Sequence, residues 1–118
     1  MAGYRDLKVW QSAMQLAEET YRLSQSFPNH EIYGLTSQLR RATVSIPSNI
    51  AEGHGRNSPK EFYHFLGIAL GSLAELETQL LLAKRLKYLE ADQITAVLKT
   101  TDEMAKMLKG LQKSLSSN

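Results

Sequence analysis

Ile46-Pro47-Ser48-Asn49-Ile50-Ala51-Glu52-Gly53-His54-Gly55-Arg56-Asn57-Ser58-Pro59-Lys60-Glu61 holds two of the three prolines and two of the seven glycines in the chain, and its reading decides the fold. Upstream, the apolar positions Leu35, Leu39, Ala42, Ile46, Ile50 and Gly53 recur at spacings of four, three, four, four and three, so the helical register passes through Pro47 unbroken. A proline inside a helix removes one amide and presses on the carbonyl four residues back, here that of Thr43. A register that continues regardless predicts one helix kinked at Pro47 rather than two helices. Ser45, Ser48 and Asn49 stand ready to satisfy the disturbed backbone, and Gly53 and Gly55 are expected to end the helix. Downstream, Ser58 is a cap, Pro59 fills a first-turn position that needs no amide, and Glu61 completes a capping box.

Working outward, the next helix carries the seam Phe62, Leu66, Ala69, Leu73, Leu76, Leu80 and Ala83 and is expected to reach about Lys87, roughly 43 Å at 1.5 Å per residue. Tyr88 to Ala91 connects it to a fourth helix, capped by Asp92, with the seam Ile94, Val97, Thr101, Met104, Leu108, Leu111 and Leu115. Ser116-Ser117-Asn118 is expected to fray. On the other side, Leu7, Trp10, Met14, Ala17 and Tyr21 predict a first helix from Asp6, its N-cap, to about Gln25. Phe27-Pro28-Asn29-His30 breaks it, and the second helix starts between Glu31 and Leu35. With no strand pattern and no repeat, residues 1–118 read as one all-α domain, an antiparallel up-down four-helix bundle.

Composition bounds the function. A length of 118 residues with 42% hydrophobic side chains supports a real core. The absence of cysteine removes disulfides, thiolate catalysis and thiolate metal sites. The N-terminus meets charge at Arg5 and Asp6, too early for a secretory signal. The apolar run from Phe65 to Ala83 holds Glu75 and Glu77 near its middle, unlike a membrane span. The expected setting is cytoplasmic, without a membrane partner. A net charge of +2 permits an RNA partner without requiring one.

Helix three has an unusual outer side. Away from the Leu73 seam it presents Gly67, Gly71, Ala74 and Thr78, flanked by Tyr63 and Leu81, where a surface helix ordinarily places charge. A glycine in mid-helix costs about 1 kcal/mol relative to alanine, so two of them one turn apart suggest that another backbone comes close. Tyr63, Gly67, Gly71, Ala74 and Thr78 are therefore the candidate self-association surface, the alternative being a neighbouring helix that wraps further round.

The remaining chemistry is thin. His54, between two glycines, has no nucleophile or oxyanion donor in fixed spacing and reads as a loop histidine. Glu61 and His64 form only half of a di-metal carboxylate pattern, so no metal and no cofactor are expected. Gly53 to Ser58 resembles an anion-binding turn at a helix start but lacks the phosphate-loop lysine and preceding strand. Lys99, Lys106, Lys109 and Lys113 share one stripe of helix four with no interleaved aromatic, and Asp102 and Glu103 suggest ordinary pairs with Lys106. The basic residues set aside as nucleic-acid contacts are Arg40, Arg41, Arg56 and Lys60.

The run from Arg40 to Gly53, with Arg56 and Phe62-Tyr63-His64-Phe65-Leu66, resembles the 23S ribosomal RNA intervening-sequence protein family. Tyr4 to Trp10 and Gly71 to Gln79 match that family too, so the similarity spans nearly the whole chain. The resemblance implies a bacterial four-helix bundle assembled as a ring-shaped homopentamer, with no established enzymatic activity. Distantly similar bundles are accessory proteins of diversity-generating retroelements, where a more basic pentamer engages nucleic acid. The expected function is thus a non-catalytic oligomeric binding or scaffold protein with RNA or a ribonucleoprotein as partner. The alternative is a protein–protein adaptor that binds no nucleic acid.

Overall fold

The computed structural model describes residues 3–116. Four helices make an all-α bundle: α1 (Lys8–Ser24), α2 (Leu35–Gly55), α3 (Pro59–Arg85) and α4 (Ala91–Ser116), with short 3₁₀ turns at Tyr4–Asp6 and Asn29–Glu31. Each helix lies beside its neighbours in the chain, and α4 returns to α1, so all four face one core. Along α2 and α3, Gly53 meets Phe65 while Ser45 meets Ser72.

The seams of α2, α3 and α4 follow from hydropathy. Every α2 and α3 seam residue named above is buried, as are Ile94, Val97, Thr101, Met104 and Leu108 of α4. The α1 seam differs from expectation. Its buried residues are Val9, Ala13, Leu16, Thr20 and Ser24, while Met14 and Tyr21 are exposed. Two hydroxyls enter the core because each is already satisfied: Thr20 donates to the Leu16 carbonyl at 2.8 Å and Ser24 to that of Tyr21 at 3.1 Å. An unsatisfied buried hydroxyl would cost about 1–3 kcal/mol, and this local bonding avoids it. Thr43 of α2 also donates to Thr20 at 3.3 Å, knitting the two helices.

Helix ends show where side-chain chemistry acts. Ser58 accepts from the Glu61 amide at 3.3 Å, as expected, but the Glu61 carboxylate turns toward Arg56 at 3.7 Å rather than back to Ser58. Asp6 does not cap α1: it lies in the 3₁₀ turn, and Leu7 is the N-cap with no side-chain bond. Asp92 sits inside the first turn of α4, where Gln93 reaches back to accept from the Glu90 amide at 2.9 Å. Helix α3 ends two residues before Lys87, which takes φ 66°. There the Tyr88 amide bonds the Ala83 carbonyl and the Lys87 amide that of Lys84, both at 2.9 Å, the pattern of a Schellman cap. Ser116 closes α4 rather than fraying, its hydroxyl donating to the Lys113 carbonyl; Ser117 and Asn118 lie outside the described residues.

Of the two glycines expected to end α2, Gly53 lies inside the helix and Gly55 is its last residue. Helix continues through Gly55, and the left-handed turn residue is Asn57, at φ 54°. Gly53 is required for another reason. A β-carbon there would lie 2.5 Å from the Phe65 β-carbon and 3.1 Å from the Phe62 ring, so the backbones of α2 and α3 meet at a point only glycine fits. Around Pro47 the Asn49 amide donates to the Ser45 carbonyl at 2.8 Å and to its hydroxyl at 2.9 Å, and that hydroxyl bonds Ser72 of α3 at 2.8 Å.

A second clamp closes the far end. Glu31 accepts from the Leu35 amide at 3.1 Å, capping α2, and from the Tyr88 hydroxyl at 2.8 Å. Those bonds, the Leu35 amide foremost, hold its carboxyl below the usual glutamate range, and the same bond raises the Tyr88 phenol.

Gly53→Ala is expected to lose about 1–3 kcal/mol in urea unfolding through overpacking. Gly55→Ala, with nothing within 4 Å of the added carbon, is expected to be neutral or stabilising. Because the folded-state pKa of Glu31 is depressed, its contribution is complete above the ordinary value of about 4.3 and fades as pH falls through the folded value. The gap in urea midpoint between wild type and Glu31→Gln should therefore be widest at neutral pH and close in acid.

Candidate functional site

The surface between the start of α2 and its neighbours is built by the Glu31 clamp. The carboxylate that caps Leu35 occupies the space a β-carbon on Gly34 would need, only 2.7 Å from it, so glycine follows Tyr33. Tyr33 is left 96% exposed at the tip of the connection, and Arg41 stands exposed nearby on α2. Together they border two clefts. One, of about 470 Å³, opens toward α1 past Tyr21, Ile32 and Val44. The other, of about 460 Å³, opens toward α3 and is lined by Ser37, Ser45, Glu75 and Gln79 as well.

The four basic candidates separate into two pairs about 24 Å apart along α2, at 1.5 Å per residue, and do not form one patch. Arg40 is half-buried; its guanidinium donates to the Ser24 hydroxyl at 2.9 Å and the Tyr21 carbonyl at 3.4 Å, and lies 4.7 Å from the centre of the Tyr21 ring. A cation there closes the C-terminal end of α1. Arg56 bonds Glu52 at 2.8 Å, approaches Glu61 at 3.7 Å and lies over Phe65. The Glu52 bond raises its already high pKa. Arg41 and Lys60 make no ion pair or hydrogen bond among the described residues.

Periodicity misplaces Tyr21 and is silent on Tyr33. Spacing alone puts Tyr21 on the α1 seam, whereas its ring lies outside under Arg40. Tyr33 lies in a connection, where period carries no information. Its one signal is an aromatic between the Pro28 break and Gly34, close in sequence to Arg40 and Arg41.

The candidate self-association surface is open. Nothing lies within 4 Å of a β-carbon placed on Gly71. At Gly67 the Gln112 amide of α4 sits 3.4 Å from that position, an ordinary contact that a β-carbon would tolerate, and donates to the Tyr63 carbonyl at 3.2 Å. Thr78 turns its hydroxyl back to the Ala74 carbonyl at 2.8 Å. Along α3, Tyr63, Ile68, Leu81, Leu82 and Leu86 are exposed. This helix is long and apolar enough to cross a membrane by length and composition alone, yet one side of it is the bundle seam.

His54 packs edge-on against Phe62, with ring centres 5.6 Å apart, and His64 against Phe65 at the same separation. Among the described residues no three His, Asp or Glu side chains gather as a metal site. The pairs expected from Asp102 and Glu103 to Lys106 do not form within 4.0 Å; these exposed side chains stay solvated.

Residues 5–110 match the sequence profile of the 23S rRNA-intervening sequence protein family. The chain belongs to that family. A similar solved structure is the crystal structure of a protein of unknown function from the S23 ribosomal protein family of Bacteroides thetaiotaomicron VPI-5482. It shares 26% sequence identity, superposes with a TM-score of 0.82, and the match covers 89% of this chain and 95% of that one. No curated protein is detectably similar in sequence. Membership in the intervening-sequence family is thus carried by a helical bundle of this shape and assigns no activity.

Within this bundle the adjacent arginines have opposite duties. Arg40→Ala should lower the thermal midpoint by a few degrees, since about 1 kcal/mol shifts a domain of this size by roughly 4 °C. Arg41→Ala should leave the midpoint unchanged, and equal drops in both variants would show that the division is wrong.

Proposed function

We propose that residues 1–118 form one domain of a non-catalytic, cytoplasmic scaffold that assembles with itself, as a homopentamer, and binds RNA or a ribonucleoprotein. The observation that carries this reading is the outer face of α3, where Gly71 is uncovered within the chain and Tyr63, Ile68, Leu81 and Leu82 are exposed, with Glu75 one turn from Gly71. Tyr63, Gly67, Gly71, Ala74 and Thr78 form the subunit contact. A glycine with open space above it gives up helix stability without any intrachain gain, which a second copy packed closely would offset. The same reading takes the helices to run antiparallel, supported by the Gly53–Phe65 and Ser45–Ser72 pairings, and α2 to bend at Pro47.

Arg41 and Lys60 supply the free charge for RNA, while Arg40 and Arg56 stiffen the surfaces beside them. Few cations per subunit suffice when repeated around a ring, because linked sites raise the effective concentration of one strand. The adaptor reading has one observation in its favour: Met14, Tyr21, Ile32 and Val44 are exposed apolar side chains on α1, α2 and their connection.

Light scattering is expected to give the mass of five chains for the wild type and of one for Gly71→Arg, with unchanged helical circular dichroism in both. A monomeric wild type at micromolar concentration would remove the subunit contact. Filter binding of single-stranded RNA should weaken with salt. Arg41→Ala should flatten the log–log slope by about 0.7 for each phosphate that the variant no longer neutralises. RNA affinity no greater than that of an unrelated neutral protein would favour the adaptor.

A further inference from the structure

We propose that the cleft between α2 and α3 is a guanine-recognition site, which reads an unpaired guanine base presented by single-stranded RNA. The inference rests on the RNA-binding reading and specifies its ligand. Three features of the cleft converge on it.

The first is an unmatched set of polar groups. Arg41 and Glu75 line the same cleft, yet neither takes part in an ion pair or hydrogen bond among the described residues. The second is Gln79, which lines the same wall as an amide, its carbonyl oxygen lying beneath the surface without a hydrogen-bond partner. The third is the exposed ring of Tyr33 at the border of the cleft, available as a stacking surface.

Charge narrows the ligand. A phosphate or carboxylate would meet the Glu75 carboxylate, and an ammonium or guanidinium would meet Arg41. The lining suits a neutral group that carries donors and acceptors side by side, and Tyr33 suits a flat one. Among the bases, guanine presents N1–H and N2–H₂ as adjacent donors on one edge and O6 with N7 as adjacent acceptors on another. Glu75 matches the donor pair and the Arg41 fork the O6 and N7 acceptors. Uracil offers a single N–H donor, and adenine and cytosine offer only one amino group. The volume of about 460 Å³ falls in the range of small-ligand clefts, generous enough for a base and part of its sugar.

The cleft lies on the α2 flank of α3, whereas Gly67 of the proposed subunit contact touches α4. Glu75 of the cleft lies one turn from Gly71 of that contact, so the two surfaces share an edge along α3.

Fluorescence anisotropy of the intact protein with labelled RNA hexamers tests the site. A hexauridylate carrying one central guanosine should bind at least about tenfold tighter than hexauridylate or its adenosine-substituted counterpart, one bidentate base contact being worth about 1–3 kcal/mol. Glu75→Gln should abolish that preference while hexauridylate binding and sedimentation stay unchanged, and Arg41→Lys should abolish it as well. Guanosine monophosphate, with adenosine monophosphate as control, locates the source: weaker competition than by the guanosine hexamer assigns the base to a strand, equal competition to a free nucleotide. Equal wild-type affinity for all hexamers would overturn the guanine site and leave RNA binding standing; no binding to any would remove both. A change in sedimentation in the two variants without a change in base preference would make the cleft a protein contact, and the proposal would fail.

Discussion

Where α2 and α3 meet at Gly53, the space for a β-carbon is already taken by Phe65 and Phe62. That close approach fixes how the two helices pack along their shared face. It lets Phe62, a seam residue, turn inward at the start of α3 and leaves Phe65 as a lid under Arg56. The hydrogen-bonded trio of Ser45, Asn49 and Ser72 then ties the same helices two turns further along. With α2 held on one side and α4 on the other, α3 has two partners and still presents an apolar outer strip. Packing the inner face well is what makes the outer face conspicuous, because interior seams already account for the core.

Helix existence is legible in the sequence, since three seams repeat at spacings of three and four and every residue of two of them is buried. What escapes is anything decided by a single hydrogen bond. Thr20 and Ser24 read as polar, yet a bond to the preceding turn makes each as fit for the core as a small apolar residue. Their burial rotates the α1 seam and pushes Tyr21 outward. Helix ends escape for the same reason: Asn57 and Lys87, not glycines, take the left-handed turns. Gly53 has the sequence signature of a terminator although its role is proximity, a distinction that needs the facing helix.

The candidate site is legible in part. Arg40 and Arg41 stand out as basic neighbours, but which is engaged depends on Ser24 and Tyr21, sixteen and nineteen residues earlier than Arg40. Arg56 has the look of a free cation in sequence, and two carboxylates claim it. Gln79 carries no signal at all, because an unpaired buried oxygen is a property of surroundings rather than residue type. The outer face of α3 is the reverse case: its composition alone marks Gly71, and the open space above it agrees with that mark.

The absence of native cysteine gives a direct measurement of whether a second copy covers that face. Thr78→Cys, on the outer side of α3, and Lys99→Cys, exposed on α4, can each be alkylated by a maleimide reagent across a dilution series. At high concentration the cysteine at 78 should react far more slowly than that at 99, and the difference should vanish as the assembly dissociates. Equal rates at every concentration, in a protein that remains helical, would contradict the subunit contact on α3.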